Sequence, residues 1–210
     1  NYKGVLLILN SDQFLFSKKE LLGTALMVLK QCDSVLFTYE INQADGYSAL
    51  KINNERLQGI ISNSDLKNGA SAQTYTGMSL INLERLEPTS GKSSFFSSVA
   101  NPSRNNVQTV EMKNLEYWDF GTVDRYHKSM FKVLKNPDSQ FYKFLVETNT
   151  LLNELNSGKS YNSSAGINLT GKTLDLGESE ICLKGPTGEV SDRDRGNKNI
   201  ICGDLLECAK

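Results

Sequence analysis

The chain has 210 residues, 39% of them hydrophobic, which is enough for one domain of ordinary size with an appendage. Its formal net charge of −1 gives no electrostatic reason to expect nucleic acid or an anionic membrane as a partner. The longest apolar run, Val5 to Leu9, is far shorter than the roughly 20 residues that cross a membrane. We therefore expect a soluble, cytoplasmic protein, which could form an oligomer.

The first element is an apolar strand that ends in a carboxylate. Residues 4–9 form a continuous apolar run, and Asn10, Ser11 and Asp12 follow it directly. Such a run is typical of a strand that is buried on both faces. Because α/β folds hold their ligands at the carboxyl ends of strands, Asp12 is a candidate site residue.

A helix and a second strand follow. Ser17 and Glu20 have the spacing of a capping box, in which each side chain accepts from the other's backbone N–H, and apolar residues then recur at helical spacing to about Cys32. Residues 35–39 are β-branched and aromatic, which predicts a central strand. Residues 4–39 are therefore predicted to be a βαβ unit with parallel strands.

Two further strand patterns lie in the middle of the chain. Residues 48–52 and 56–61 flank Asn53, Asn54 and Glu55, which predicts a β-hairpin because Asn tolerates a positive φ. Residues 73–81 predict another strand, interrupted by Gly77. A glycine inside a strand indicates either a bulge or the close approach of a ligand, and the sequence leaves both open.

A second carboxylate stands where a strand meets a helix. Residues 117–122 read Tyr-Trp-Asp-Phe-Gly-Thr, and Thr122 can cap the helix that follows. Hard cations such as Mg²⁺ take one or two carboxylates, with phosphate and water oxygens in the remaining positions. Asp12 and Asp119 could share one such cation. The simpler interpretation of each is a turn former or a helix cap.

The composition changes near residue 157. Ser, Gly, Asn and Thr dominate from there to residue 210, and short alternating apolar pairs such as Ile167 and Leu169 recur. We predict two domains, an α/β domain over 1–156 and a small β-rich appendage over 157–210, which could be solenoid-like. The four cysteines form no Cys-x-x-Cys pair, so reduced thiols are expected.

Two motifs together resemble the sugar-phosphate nucleotidylyltransferases. In that family a strand ends in a pattern like Leu-Asn-Gly-Asp, and about a hundred residues later Trp-x-Asp-x-Gly-Thr precedes a helix. The matching segments here are Leu9-Asn10-Ser11-Asp12 and residues 117–122. The resemblance covers about residues 4–135 and is closest to the short members that act on N-acetylmuramate 1-phosphate or mannose 1-phosphate.

The resemblance implies a fold, a reaction and a set of site residues. The fold would be a Rossmann-like mixed sheet flanked by helices, and the reaction would join a nucleoside triphosphate to a sugar 1-phosphate, releasing pyrophosphate. Asp12 and Asp119 would be the catalytic residues and would hold Mg²⁺. The substrate-binding positions implied are Asn10, Gly46, Thr76, Gly77, Tyr117 and Trp118.

The sequence departs from the family at four points. Ser11 replaces a Gly, and Tyr117 stands where the family has Trp. Residues 61–65 lack the family's Glu-Lys-Pro with its phosphate-binding Lys, and nothing in the chain resembles the Gly-rich phosphate loop. We therefore expect either the carboxyl part of a longer nucleotidylyltransferase or a domain that is not an enzyme. The alternatives are a metal-dependent glycosyltransferase, which the motif around Asp119 disfavours, and a non-catalytic sensor or scaffold that binds a nucleotide sugar.

Overall fold

A computed structural model describes residues 3–41, 46–65, 72–87, 90–134 and 136–148, and the short stretches 161–162, 166–168, 182–184 and 199–201. The chain divides into two compact units, residues 1–117 and 118–210. The domain boundary predicted at 156/157 lies outside the described residues and stays a prediction.

The first unit is built on a curved, mixed sheet with one helix on it. The six strands of this sheet lie in the order β1-β6-β3-β7-β5-β4, and β4 also pairs with β6, so that the sheet closes in part on itself. The elements are β1 (Val5–Leu9), β2 (Gln13–Phe16), α1 (Glu20–Leu29), β3 (Ser34–Ile41), β4 (Ala49–Asn53), β5 (Arg56–Ile61), β6 (Ala72–Asn82), β7 (Val107–Glu111) and β8 (Glu116–Asp119).

The directions of the strands confirm a mixed sheet. β1 and β3 are both antiparallel to β6, which lies between them, so that β1 and β3 run parallel to each other without being neighbours. β3 and β7 pair in parallel. The predicted strand-helix-strand unit is therefore present, with β6 inserted into it. β2 and β8 form a separate two-stranded sheet.

The prediction that the first strand is buried is wrong. β1 is the edge strand of the large sheet, and β6 is its one partner within the described residues. Val5, Leu7 and Leu9 are 54%, 42% and 57% exposed, and Leu6 is 43% exposed on the other face. The sequence has the pattern of an interior strand, but the second neighbour that such a strand needs is not among the described residues.

The predicted capping box at the start of α1 is also wrong. The residue that caps the helix is Lys19, which has helical backbone angles and makes no capping hydrogen bond with its side chain. Of the apolar residues at helical spacing, Leu21, Ala25, Val28 and Leu29 pack on the sheet, whereas Leu22 is exposed. Cys32 packs with them, and burial raises the pKa of its thiol to about 11. The buried residues of this core are Ala25, Leu29, Cys32, Val35, Phe37, Leu80 and Met112.

A second core lies on the opposite face of the sheet. In the sequence Phe95 and Phe96 fall in a long polar loop, and the structure places both rings against Tyr75 of β6, at 5.5 and 5.6 Å between centroids. They cover buried Leu36 and Leu57. The loop is thus anchored by two aromatic side chains.

The β-hairpin predicted from residues 48–61 is confirmed, since β4 and β5 pair as antiparallel strands. Asn54 and Glu55 both have positive φ, 46° and 61°, as the two central residues of a type I′ turn do. The carbonyl of Glu55 then accepts from both the backbone N–H and the hydroxyl of Thr109 on β7, which attaches the hairpin to the centre of the sheet.

The second unit begins with two helices. They are α2 (Val123–Leu134) and α3 (Gln140–Glu147), followed by the short strands β9 (Tyr161–Asn162), β10 (Gly166–Asn168), β11 (Cys182–Lys184) and β12 (Asn199–Ile201). β10, β11 and β12 pair in parallel, with Ile167, Leu183 and Ile200 in register. A β-rich segment is therefore present, and its solenoid-like character stays a prediction. No helix within the described residues is long and apolar enough to cross a membrane.

We expect the protein to self-associate through β1, because its apolar edge is exposed. Leu7→Lys should reduce association in analytical ultracentrifugation, because a charge on an open edge opposes pairing with another strand. Ile60→Lys is the matched control, since Ile60 is 50% exposed but lies on β5, which has a neighbour on each side. A wild-type protein that sediments as a monomer would contradict the expectation.

Candidate functional site

The turn after β1 is held against a bulge in β6. The backbone N–H of Asn10 donates to the carbonyl of Gly77 at 3.0 Å. The pairing of β3 with β6 shifts register in this region, where one residue of β3, Phe37, faces three residues of β6, 76–78. The bulge that the sequence left open at Gly77 is therefore present. It brings Asn10, from the first motif, into contact with Gly77, which lies more than sixty residues later in the chain.

Only glycine fits at position 77. Its φ is +82°, which L side chains rarely adopt. A Cβ atom there would overlap Oε1 of Gln13 and would lie 2.7 Å from Nδ2 of Asn10. The close approach at Gly77 is thus made by two side chains of the protein itself. That explains why glycine is needed here without a ligand.

The side chain of Thr76 stabilises the bulge. Its side chain is fully buried, and its hydroxyl donates to the carbonyl of Phe37 at 3.0 Å and accepts from the N–H of Met78 at 3.2 Å. The hydroxyl holds β6 to β3 at the point where the ladder is interrupted. Contact of Thr76 with a substrate stays a prediction.

Asp12 stands at the exposed tip of this turn. Within the described residues its carboxylate makes no hydrogen bond or ion pair. A solvated carboxylate beside a turn that is fixed by backbone and side-chain contacts can bind a cation without first losing a protein partner.

Three tyrosines form a wall at the carboxyl end of β3, which we call the tyrosine cluster. The rings of Tyr39 and Tyr117 are 4.7 Å apart, and Tyr47 meets each of them edge-on at 6.3 Å. All three are half-buried. Gly46, which has a φ of +73°, precedes Tyr47 and is exposed. The structure therefore brings Gly46 and Tyr117 to one place, and contact of either residue with a sugar stays a prediction.

A cavity of about 530 Å³ opens beside this cluster. Tyr39 forms part of its wall, and the charged residues that line it are Glu40, Glu111 and Lys113. Its volume lies within the roughly 300–1,000 Å³ range of small-molecule sites. The cavity was not predicted, because its lining comes from the end of β3 and from the turn after β7, segments with no motif of their own.

In the second unit, Asp119 is a buried carboxylate with two donors. The N–H of Gly121 donates to Oδ1 at 2.8 Å, and the guanidinium of Arg125 donates to Oδ2 at 2.9 Å. Asp119 is 6% exposed and Arg125 34%. The bond from Gly121 is an Asx turn, which explains the Asp-x-Gly spacing in structural terms.

The start of α2 is built around Asp119. Thr122 caps the helix as predicted, accepting from the N–H of Arg125 at 3.2 Å. One turn later, the hydroxyl of Ser129 donates to the backbone carbonyl of Asp119 at 2.8 Å. Arg125 and Ser129 were missed in the sequence. The signal was available, since an arginine in the first turn of a helix can reach back to a carboxylate before the cap.

Trp118 lies in the core of the second unit. It is 3% exposed, its ring is 5.6 Å from that of Phe141, and Nζ of Lys132 lies 5.3 Å from the ring centroid. Sugar stacking needs an exposed ring face. The place predicted for Trp118 at the sugar is therefore better filled by the tyrosine cluster, and Trp118 packs as a core residue.

The carboxylates of Asp12 and Asp119 differ in how well they meet the requirements of Mg²⁺. Two carboxylates are suitable ligands for this hard cation. Arg125, however, neutralises the charge of Asp119 in this structure. Asp12 thus fits the cation as it stands, and Asp119 fits once the guanidinium moves. Among the described residues, no group of three or more His, Cys, Asp or Glu is placed to hold a metal.

Comparisons with known proteins find likeness in fold over part of the chain. No protein-family profile matches the sequence, and no curated protein does. HddC from Yersinia pseudotuberculosis, solved in complex with GMP-PN, is 16% identical over 61% of this chain and 55% of its own, with a TM-score of 0.46. A second structure of HddC from the same organism is also 16% identical, with the same coverage of both chains and a TM-score of 0.47.

A third similar structure is a putative glucose-1-phosphate thymidylyltransferase from Bacillus anthracis in complex with a sucrose. It is 14% identical over 60% of this chain and 52% of its own, with a TM-score of 0.43. The chain spans about half the length of these solved structures.

Substitution of Gly77 tests the bulge. Gly77→Ala should lower the free energy of unfolding by about 2 kcal/mol, because the left-handed backbone is strained by a Cβ and Gln13 must move. Gly23→Ala is the control, since Gly23 lies in α1 with open space around its Cβ position, and it should stabilise by up to about 1 kcal/mol. Equal effects of the two substitutions in urea unfolding would contradict this account.

Proposed function

We propose that this chain belongs to a sugar-phosphate nucleotidylyltransferase, which makes a nucleotide-diphosphate sugar from a nucleoside triphosphate and a sugar 1-phosphate. The observation that carries the proposal is the contact between the turn of Asn10 and Asp12 and the bulge at Gly77. Asn10 of the first motif and Gly77, a substrate-binding position that the resemblance implies, are adjacent in the fold, and Asp12 is exposed in the same turn.

The proposed nucleotidyl transfer does not require a general acid or a general base from the protein. A sugar-phosphate oxygen attacks the α-phosphorus in line, the bond to the pyrophosphate oxygen breaks, and pyrophosphate leaves. The attacking oxygen is already an anion, so the protein has to position the reactants and stabilise charge. Mg²⁺, when bound, supplies that charge stabilisation and orients the phosphates. Asp12 and Asp119 are the residues that would hold it.

The sugar would occupy the cavity beside the tyrosine cluster. Tyr39 offers an aromatic wall there, and the carboxylates of Glu40 and Glu111 can accept hydrogen bonds from sugar hydroxyls. Lys113 is a cation on the same wall. It could meet the sugar phosphate in place of the lysine that residues 61–65 lack, so that one departure from the family is compensated within the fold.

A second candidate is a non-catalytic domain that binds a nucleotide sugar. One observation favours it: the charge of Asp119 is already balanced by Arg125, as in a residue with a structural role. Turnover separates the two candidates, because a scaffold would bind a hexose 1-phosphate without releasing pyrophosphate from any nucleoside triphosphate.

The two carboxylates should differ when they are substituted. Asp12→Asn and Asp119→Asn should each abolish Mg²⁺-dependent pyrophosphate release. Asp12→Ala should leave the unfolding free energy within about 0.5 kcal/mol, since Asp12 is exposed. Asp119→Ala should cost about 2 kcal/mol, because it leaves Arg125 and the N–H of Gly121 without their acceptor.

Activity assays and denaturant unfolding on the same four variants check this expectation. Turnover that survives in Asp12→Asn would end the shared-cation proposal. A wild-type protein that binds hexose 1-phosphates without turnover would support the non-catalytic candidate instead.

The sugar cavity can be tested by calorimetry with a hexose and its 1-phosphate. Lys113→Ala should weaken binding of the hexose 1-phosphate roughly tenfold and leave the unphosphorylated hexose unchanged, because it removes one charged contact. Tyr117→Ala should weaken both ligands, since it removes the ring that supports Tyr39. Lys51→Ala, an exposed lysine on β4 that lines no part of the cavity, is the control. Equal affinities in all variants would exclude this cavity.

A further inference from the structure

A second cavity, of about 420 Å³, lies within the first unit beside α1. It is lined by residues of α1, of the β4–β5 hairpin, of β6 and of the segment from Thr109 to Lys113 that includes the end of β7. Its volume is also within the roughly 300–1,000 Å³ range of small-molecule sites. The proposed reaction makes no use of this cavity.

One part of the lining is apolar and fixed in place. Four half-buried side chains form it, namely Leu21, Val28, Ile52 and Val110. The first, second and fourth of them also pack against the core under α1, and Ile52 packs against the core on the opposite face of the sheet. An apolar group that enters the cavity would therefore be removed from water against a preformed surface.

The charged part of the lining consists of Glu55, Glu111 and Lys113. Across the part of the chain that the structure describes, none of these three side chains forms an ion pair. The backbone at Glu55 is nevertheless fixed, because its carbonyl accepts from the N–H and the hydroxyl of buried Thr109. Two carboxylates and one ammonium group thus line the cavity without being paired to each other.

A neutral donor completes the lining. The hydroxyl of Thr38, which is fully buried, donates to Oε1 of Gln73 at 2.9 Å. This bond uses the acceptor of the amide and leaves Nε2 of Gln73 as a donor in the cavity lining. Gln73 and Lys113 can donate to a carboxylate, and Glu55 and Glu111 can accept from an ammonium group.

We propose that the second cavity binds a free α-amino acid with an apolar side chain. Such a molecule carries one ammonium group, one carboxylate and one apolar group, and the lining offers a complement to each. A simple amine would leave the donors of Gln73 and Lys113 unused. An apolar carboxylic acid would meet the carboxylates of Glu55 and Glu111 without a positive charge to pair with them.

The second cavity is linked to the sugar cavity, because Glu111 and Lys113 line both. A ligand carboxylate that pairs with Lys113 in the second cavity withdraws this cation from the sugar phosphate. The amino acid should therefore weaken binding of a hexose 1-phosphate at least roughly fivefold, and the hexose 1-phosphate should weaken binding of the amino acid by the same factor. This link rests on the proposed function, whereas the amino acid site itself does not.

Calorimetric titration of the protein with three related probes tests the site. L-Leucine carries both charges, isoamylamine lacks the carboxylate, and isocaproate lacks the ammonium group. Each of the last two should bind roughly tenfold more weakly than leucine, because one charged contact is lost. Isoamylamine that binds as tightly as leucine would overturn the assignment to an amino acid.

Two isosteric substitutions should separate the two charges of the ligand. Glu55→Gln should weaken leucine and isoamylamine roughly tenfold and leave isocaproate unchanged. Gln73→Glu replaces a donor by a negative charge, so it should weaken leucine and isocaproate and should not weaken isoamylamine. Glu84→Gln, at an exposed position that lines neither cavity, is the matched control. The melting temperature identifies any variant that has lost its fold.

The outcomes distinguish the site from its link with the sugar. Leucine affinity that is equal in wild type, Glu55→Gln and Gln73→Glu overturns the site, as does absence of binding of both L-leucine and L-phenylalanine. Hexose 1-phosphate affinity that is unchanged at saturating leucine overturns the link and leaves the amino acid site standing. Leucine binding without any binding of hexose 1-phosphate overturns the link together with the sugar cavity of the proposed function.

Discussion

The left-handed backbone at Gly77 is the constraint on which the first unit depends. A positive φ at this position lets β6 bulge while it stays paired with β1 on one side and β3 on the other. The bulge turns the carbonyl of Gly77 toward the N–H of Asn10, and Thr76 closes it from the β3 side. The turn that carries Asp12 is therefore set by a backbone conformation in a strand far away in sequence.

The same constraint changes how substitutions at Gly77 should be interpreted. A side chain there would displace Asn10 and Gln13 before it met any ligand, because both occupy the position of the missing Cβ. Loss of sugar binding in such a variant would report the position of the turn, not a clash with the sugar. Lys113 and Tyr117 are the better probes of the sugar, since neither supports the bulge.

Local patterns were enough to predict most of the elements. β3, the β4–β5 hairpin and β6 follow from β-branched residues and from Asn at the turn, signals that lie within each segment. The mixed arrangement with α1 on the sheet also agrees with the sequence. The site was predicted in part: Asn10 and Gly77 do meet, and Gly46 does lie near Tyr117, whereas Trp118 faces the core.

The wrong and missed predictions share one physical cause. Each feature depends on residues that are close in space but are not part of the local sequence pattern. Residues 5–9 have an interior pattern, but burial is decided by what packs beyond the edge, which a strand's own sequence does not contain. Ser17 has the spacing of a capping box, yet α1 begins at Glu20 because packing on the sheet fixes where the helix starts. Arg125 was missed because its ion pair depends on the Asx turn that brings Asp119 beside the first turn of α2.

Asp119 shows why a motif can be correct in sequence and still leave its role open. Asp-x-Gly-Thr at the start of a helix is what an Asx turn followed by a cap requires, so structure alone accounts for those residues. A turn of this kind needs only one carboxylate oxygen. The second oxygen, Oδ2, is held in this chain by the partly exposed side chain of Arg125. The structural role and the proposed metal role therefore use different atoms of the same residue, and Oδ2 is the atom at which they can be separated.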